Sequence, residues 1–130
     1  MKKGMTLVEI LVALSITAVS VLALYAVFTS GMRINLHTKY KATAYHIASQ
    51  EMEIIRSTAF SSLSNQNNGP FIGTVSGLEK LPSPITELTI ENYQEDSNIK
   101  KVTIVVSWQQ ETASKKVSLV TLVSKQGLNQ

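Results

Sequence analysis

The chain has 130 residues, a formal charge of +3 and no cysteine. Without cysteine it can form neither disulfides nor a thiolate metal site, so a small exported fold would have to be held by packing alone. The small positive charge gives little support for nucleic-acid binding.

The N-terminus combines a short basic segment with a long apolar one. Lys2 and Lys3 come first, and the stretch 10–32 carries no charged residue. As a helix these twenty-three residues span about 35 Å, enough for a bilayer core of about 30 Å. We expect the hydroxyls within it to bond carbonyls of their own helix. The sequence therefore predicts a single membrane span whose N-terminus is cytoplasmic and whose remaining chain is extracytoplasmic.

A small residue precedes the apolar run instead of following it. An ordinary secretory signal is cut after its apolar centre, whereas a cut at Gly4 would leave the apolar helix on the mature protein. The segment Lys-Gly-Met-Thr-Leu-Val-Glu-Ile, residues 3–10, resembles the prepilin signal of type IV pilins, type II secretion pseudopilins and competence pseudopilins. The resemblance implies a leader, residues 1–4, that carries the charges of Lys2 and Lys3. It also implies cleavage between Gly4 and Met5 by a prepilin peptidase, with methylation of the Met5 amine.

Glu9 is an acid close to the start of the span. A carboxylate there costs a few kcal/mol, most at the bilayer centre. The resemblance implies that in a filament Glu9 meets the Met5 amine of a neighbouring subunit and sets subunit register, because an unpaired buried charge would reject a misplaced copy. In the alternative interpretation, Glu9 lies in the headgroup layer and simply ends the span.

Two positions depart from the common family pattern. Met5 stands where phenylalanine is most frequent, and Ala26 stands where many major pilins have a helix-kinking proline. We therefore expect a straighter helix than in those pilins. The absent proline favours a minor pilin or pseudopilin over a major pilin.

The helix is predicted to cover residues 5–57. Beyond the span an apolar stripe continues at helical spacing; it comprises Leu36, Tyr40, Ala44, Ile47, Ala48, Ile54 and Ile55. Glu53 and Arg56 are spaced to form an ion pair. Glu51 falls within the stripe, and we expect its carboxylate to reach water at the stripe's edge. The segment 44–56 also resembles the second half of the long helix in minor pilins and pseudopilins.

The remaining chain is predicted to be a connecting loop, residues 58–84, followed by an antiparallel sheet, residues 85–130. All three prolines fall in the loop, with one short strand at 71–75. Extended runs at 85–93, 99–109 and 116–124 are separated by short polar links, which favours a meander. In the middle run apolar side chains alternate with polar ones, so Val102, Ile104, Val106 and Trp108 should face the helix stripe. This order predicts an α+β fold, which the pilin resemblance implies as well.

The sequence offers little basis for catalysis, a metal site or a cofactor. His37 and His46 are nine residues apart, on opposite sides of a helix, and Asp96 is the sole aspartate. There is no phosphate-binding glycine loop and no serine-hydrolase motif. Trp108 and Tyr93 are interpreted as packing residues. DNA capture stays open only for a competence filament.

These observations predict a structural subunit, a minor pilin or pseudopilin, of a type IV pilus-like, type II secretion or competence filament. The resemblance implies as partners a prepilin peptidase, other pilin-like subunits and an inner-membrane assembly platform. It also implies an inner-membrane location before assembly and a filament or cell-surface location afterwards. The alternative is a single-pass anchored binding module with a small extracytoplasmic β domain. This alternative predicts that the leader stays uncut and that replacing Glu9 has no effect.

Overall fold

A computed structural model describes residues 6–94 and 96–126. One long helix, α1 (Leu7–Ser57), precedes four strands: β1 (Gln66–Gly69), β2 (Ile85–Tyr93), β3 (Asp96–Gln110) and β4 (Ala113–Ser124). Short 3₁₀ turns occur at Phe60–Ser62 and Leu78–Lys80. The α+β fold class predicted from the sequence is confirmed.

The chain divides into two compact units at the His37–Thr38 boundary. In the first unit the described part of α1 exposes apolar side chains on all sides; Leu7, for example, is 74% exposed. By length and composition, α1 could cross a membrane, and it is the one helix of the described chain that could. As expected, its hydroxyls bond carbonyls of the same helix, with 2.8 Å from the Ser15 Oγ to the Leu11 oxygen and the same distance from the Thr17 Oγ1 to the Ala13 oxygen.

The second unit packs the C-terminal part of α1 on an antiparallel sheet of order β1-β2-β3-β4. The register places Leu88 opposite Ile104, and Ile104 opposite Leu119. β2, β3 and β4 are neighbours because the links between them are short: the β3–β4 turn holds two residues, between Gln110 and Ala113. β1 is joined to β2 by the longer segment 70–84. The predicted meander is therefore present, with β3 and β4 extending further into the polar links than the sequence suggested.

The core of this unit lies between one face of α1 and one face of the sheet. The alternation in β3 is confirmed, since Val102, Ile104 and Val106 are completely buried and Trp108 is 2% exposed. Each such side chain contributes about 1.5–3 kcal/mol by leaving water. The buried apolar residues are Ala44, Ile47, Ala48, Met52, Ile55, Leu63, Leu81, Leu88, Ile90, Val102, Ile104, Val106, Trp108 and Val117.

The connecting segment differs from its prediction. The short strand expected at 71–75 does not form; the strand in this region is β1, which pairs with β2 through Gln66 opposite Ile90. The reason is that the amides of Ile72 and Gly73 donate to the side chain of Glu51. These two donors are thereby occupied by a side chain and do not contribute to a strand ladder.

Candidate functional site

The start of α1 is the candidate site, and Thr6 is the residue that begins it. The amide of Glu9 donates to the backbone oxygen of Thr6 over 3.0 Å and lies 3.3 Å from its Oγ1. A threonine followed three residues later by glutamate is the sequence pattern of a helix capping box, in which the threonine oxygen satisfies an amide that the helix leaves unpaired. Thr6 therefore fixes where the helix begins.

This cap places Glu9 in the first turn of α1. The N-terminal end of a helix carries partial positive charge, so an acid in the first turn is favourable there. In the single chain Glu9 is exposed, as are Leu7, Val8 and Ile10 beside it. The arrangement is a carboxylate on an apolar helix surface that no other described residue covers.

The other residues of the predicted site lie outside the described residues. These are Lys2 and Lys3 of the leader, and Gly4 and Met5 on either side of the predicted cleavage point. The structure therefore describes two residues of the site: Thr6, which caps the helix, and Glu9, which lies in its first turn.

Residues 1–25 match the family model described as the prokaryotic N-terminal methylation motif. The chain carries a type IV pilin-like prepilin signal. The match covers the predicted leader, the cap, Glu9 and residues 10–25 of the apolar run. No curated protein and no solved structure matches the chain. The prepilin signal supports a pilin-like structural subunit, and the apolar helix that follows fits membrane anchoring with a C-terminal soluble domain.

Glu51 is where the sequence interpretation was wrong. Its side chain does not reach water but is completely buried. One carboxylate oxygen lies 2.6 Å from the Ile72 nitrogen and the other 3.2 Å from the Gly73 nitrogen. A buried carboxylate is tolerated when it accepts hydrogen bonds of this kind. The residue is structural, because it attaches the connecting segment to the helix.

Gln50 repeats this attachment one residue earlier. Its Oε1 accepts from the Ser76 amide over 3.0 Å and from the Ser76 hydroxyl over 3.2 Å. Adjacent polar residues on the helix thus hold both ends of the segment 72–76. The sequence signal that could have revealed them was a pair of polar residues, Gln50 and Glu51, interrupting an apolar stripe next to a segment rich in glycine and proline.

The basic residues of β3 are engaged within the chain. The Lys100 ammonium donates to the Leu63 carbonyl and lies 5.4 Å from the centre of the Phe60 ring. Lys101 donates to Glu91 over 2.8 Å, and this bond, with the charge of the carboxylate, raises the pKa of Lys101. Trp108 packs in the core as interpreted. These contacts leave the pair less available to a nucleic-acid backbone than solvated lysines would be.

The two histidines of the chain lie on α1. His37 and His46 are both exposed. Among the described residues, no group of three or more histidine, aspartate or glutamate side chains is placed to hold a metal ion. The one ion pair predicted from helical spacing is present, with 2.9 Å between Arg56 Nη1 and Glu53 Oε1.

Proposed function

We propose that this protein is a minor pilin or pseudopilin, a structural subunit of a type IV pilus-like, type II secretion or competence filament. The observation that carries the proposal is the prepilin signal over residues 1–25, with Thr6 starting the helix and Glu9 held on its exposed apolar surface. Once this end of the helix is buried in a bilayer or a helix bundle, the carboxylate costs a few kcal/mol unless it meets a counter-charge.

In the proposed route, the apolar helix inserts first and leaves residues 1–4 on the cytoplasmic side. A prepilin peptidase then cuts between Gly4 and Met5, and the new amine of Met5 is methylated. In the filament, the Glu9 carboxylate pairs with the Met5 amine of an adjacent copy while the apolar surfaces of the helices pack together. A copy out of register would bury both charges unpaired, which is strongly unfavourable.

The proposal assigns no catalytic role to any residue. Gly4 and Met5 are positions on a substrate of the peptidase. Assembly would be driven by an ATPase together with an inner-membrane platform. Two features favour a minor subunit over a major pilin. Ala26 stands where many major pilins have proline, and the segment 44–56 resembles the long helix of minor pilins and pseudopilins.

The first test is the intact mass of the protein isolated from its host membrane, with the N-terminal residue identified by fragmentation. A chain that begins at Met5, with or without one added methyl group, supports the proposal. A chain that begins at Met1 contradicts it and supports the anchored binding module.

A pair of variants makes the mass measurement specific. Gly4→Leu should leave the full-length chain in the membrane. Gly31→Ala is the matched control because a Cβ added at Gly31 meets nothing within 4 Å, and it should be cut as efficiently as the wild type. Equal processing of both variants would count against cleavage at Gly4.

A further inference from the structure

The two edges of the sheet differ in how they are protected. The β1 edge is only four residues long, its register with β2 shifts, and Asn68 has a φ of 49°. Short length and irregular pairing are devices that keep an edge from accepting another strand. The β4 edge, in contrast, is twelve residues long and pairs with β3 in unbroken register from Ala113 to Ser124.

The free side of β4 has the chemistry of a strand-accepting edge. β4 is the last strand in the sheet order, so no described strand pairs with its outer side. Residues 117–124 carry no charge and alternate between the two faces of the sheet. On the outer face Val120 is 58% exposed and Leu122 is 51% exposed. A long edge with unpaired backbone groups and exposed apolar side chains is a template for an additional strand.

The charges at the ends of β4 restrict what that strand can be. Lys115 and Lys116 precede the uncharged run, Lys125 follows it, and β4 contains no acid. A second copy of β4 would bring lysines next to lysines in the parallel in-register pairing and in the antiparallel pairing that sets Lys115 opposite Lys125; Glu111 lies in the turn before β4, outside both pairings. Like charges opposed across a strand pair are destabilising. The edge therefore discriminates against its own copy.

We infer that the β4 edge binds an extended segment of a different polypeptide, apolar and β-branched in its middle and acidic at its ends. The backbone of the segment would extend the sheet by a fifth strand, its apolar side chains would cover Val120 and Leu122, and its acidic ends would meet the lysines at either end of β4. Main-chain bonds supply affinity in such complexes, and the charges supply selectivity. This inference does not depend on filament assembly.

The test uses the full chain in detergent micelles and two synthetic peptides. Both alternate valine with threonine; one carries glutamates at both ends and the other carries lysines. Hydrogen exchange of the β4 amides is measured with each peptide. We expect the glutamate peptide to slow hydrogen exchange across residues 117–123 and to bind more weakly as the salt concentration rises. We expect the lysine peptide to leave the exchange unchanged.

Charge reversal identifies the residues responsible. In the Lys115→Glu, Lys116→Glu double variant, we expect the affinity for the glutamate peptide to fall about tenfold. Lys39→Glu, Lys41→Glu is the control, because these exposed helix residues give the same change in net charge away from the sheet.

Three results would overturn the inference. They are protection of β4 by neither peptide, equal protection by both peptides, and protection of β4 as the concentration of the chain alone is raised. The last result would identify a second copy as the occupant. An equal loss of affinity in the control variant would likewise remove the role of the β4 lysines.

Discussion

The Glu51 carboxylate accepts a hydrogen bond of 2.6 Å from the backbone amide of Ile72. This bond connects the buried face of α1 to a segment that has no regular secondary structure of its own. The second oxygen of the same carboxylate accepts from Gly73, and Gln50 holds Ser76. The helix thus supplies, through side chains, the hydrogen-bond partners that a neighbouring strand would otherwise supply.

Replacing Glu51 by alanine should destabilise the second unit strongly. Two part-buried amides would lose their acceptor, at a cost of about 3 kcal/mol in the free energy of unfolding. Glu51→Gln keeps one good acceptor and should cost about half as much. Trp108 is the sole tryptophan and is buried in this core, so its fluorescence during urea unfolding of the full chain in detergent gives the measurement.

Glu53→Ala is the control for this change. Glu53 lies two residues further along the helix and its side chain is exposed in a pair with Arg56, so its loss should cost less than about 0.5 kcal/mol. If Glu51→Ala and Glu53→Ala proved equally mild, the carboxylate would not be holding the connecting segment.

Gly73 can accept a side chain only if the neighbouring Ile54 side chain moves. A Cβ at this position would overlap the Ile54 side chain. We expect Gly73→Ala to lower the free energy of unfolding by about 1–3 kcal/mol, the usual cost of overpacking. Adding Ile54→Ala should recover part of that loss by making room, so the two substitutions should be non-additive in a double-mutant cycle. Strict additivity would show that the clash is relieved elsewhere.

Strands β2, β3 and β4 could be predicted from the sequence because their signals are local. Alternation from Val102 to Trp108 assigned one face to the core, and short polar links fixed the antiparallel order. Register then followed from burial, since a slip of one residue would turn Ile104 outward.

The connecting segment could not be predicted, because its backbone partners are side chains far away in the sequence. Residues 71–75 contain enough apolar side chains to resemble a strand, and nothing local shows that Ile72 bonds to Glu51, twenty-one residues earlier. Glu51 itself was misinterpreted because an acid in an apolar stripe usually reaches water. A buried carboxylate becomes acceptable only when the fold brings amides to it.

At the candidate site, the prepilin motif could be predicted from the sequence, but the helix cap formed by Thr6 was not predicted. Thr6 belongs to the prepilin pattern. Its spacing of three residues from Glu9 is also the spacing of a helix capping box. The same short segment therefore encodes both the recognition signal and the first turn of the helix that follows it.

The Lys101–Glu91 pair should make a small contribution to stability that disappears at high pH. The hydrogen bond to Glu91 and the charge of that carboxylate raise the pKa of Lys101 above its ordinary value of 10.5. A raised pKa means that the folded state holds the proton more tightly. The contribution is therefore complete at neutral and moderately alkaline pH, begins to fall as pH approaches 10.5, and is lost as pH rises through the folded-state pKa.

Urea unfolding of the wild type and of Glu91→Gln, followed between neutral pH and pH 11, tests this expectation. The difference in the free energy of unfolding between the wild type and Glu91→Gln should be constant up to about pH 9.5 and should shrink above that pH. Glu53→Gln, which removes an exposed carboxylate paired with an arginine, should show no such change because arginine stays charged throughout. If the difference in the free energy of unfolding grew with pH, Glu91 would not be the partner that raises the pKa of Lys101.

Glu9→Gln should separate processing from assembly. The substitution leaves Gly4, Met5 and the Thr6 cap in place, so the chain should still insert and should still begin at Met5 in the mass measurement. In a packed filament, however, it would leave the neighbouring Met5 amine buried without a counter-charge. Breaking a buried pair in this way costs about 3 kcal/mol or more, which corresponds to more than about a hundredfold in association.

The measurement is the ratio of this protein in sheared filaments to protein in the membrane. We expect Glu9→Gln to remain in the membrane as a fully processed chain, and Glu9→Asp to recover some incorporation because it keeps the charge on a shorter side chain. Glu53→Gln, an equally conservative change at an exposed acid on the same helix, should incorporate normally. Normal incorporation of Glu9→Gln would show that the carboxylate does not set register, since apolar packing of the helices alone would then suffice to place each subunit.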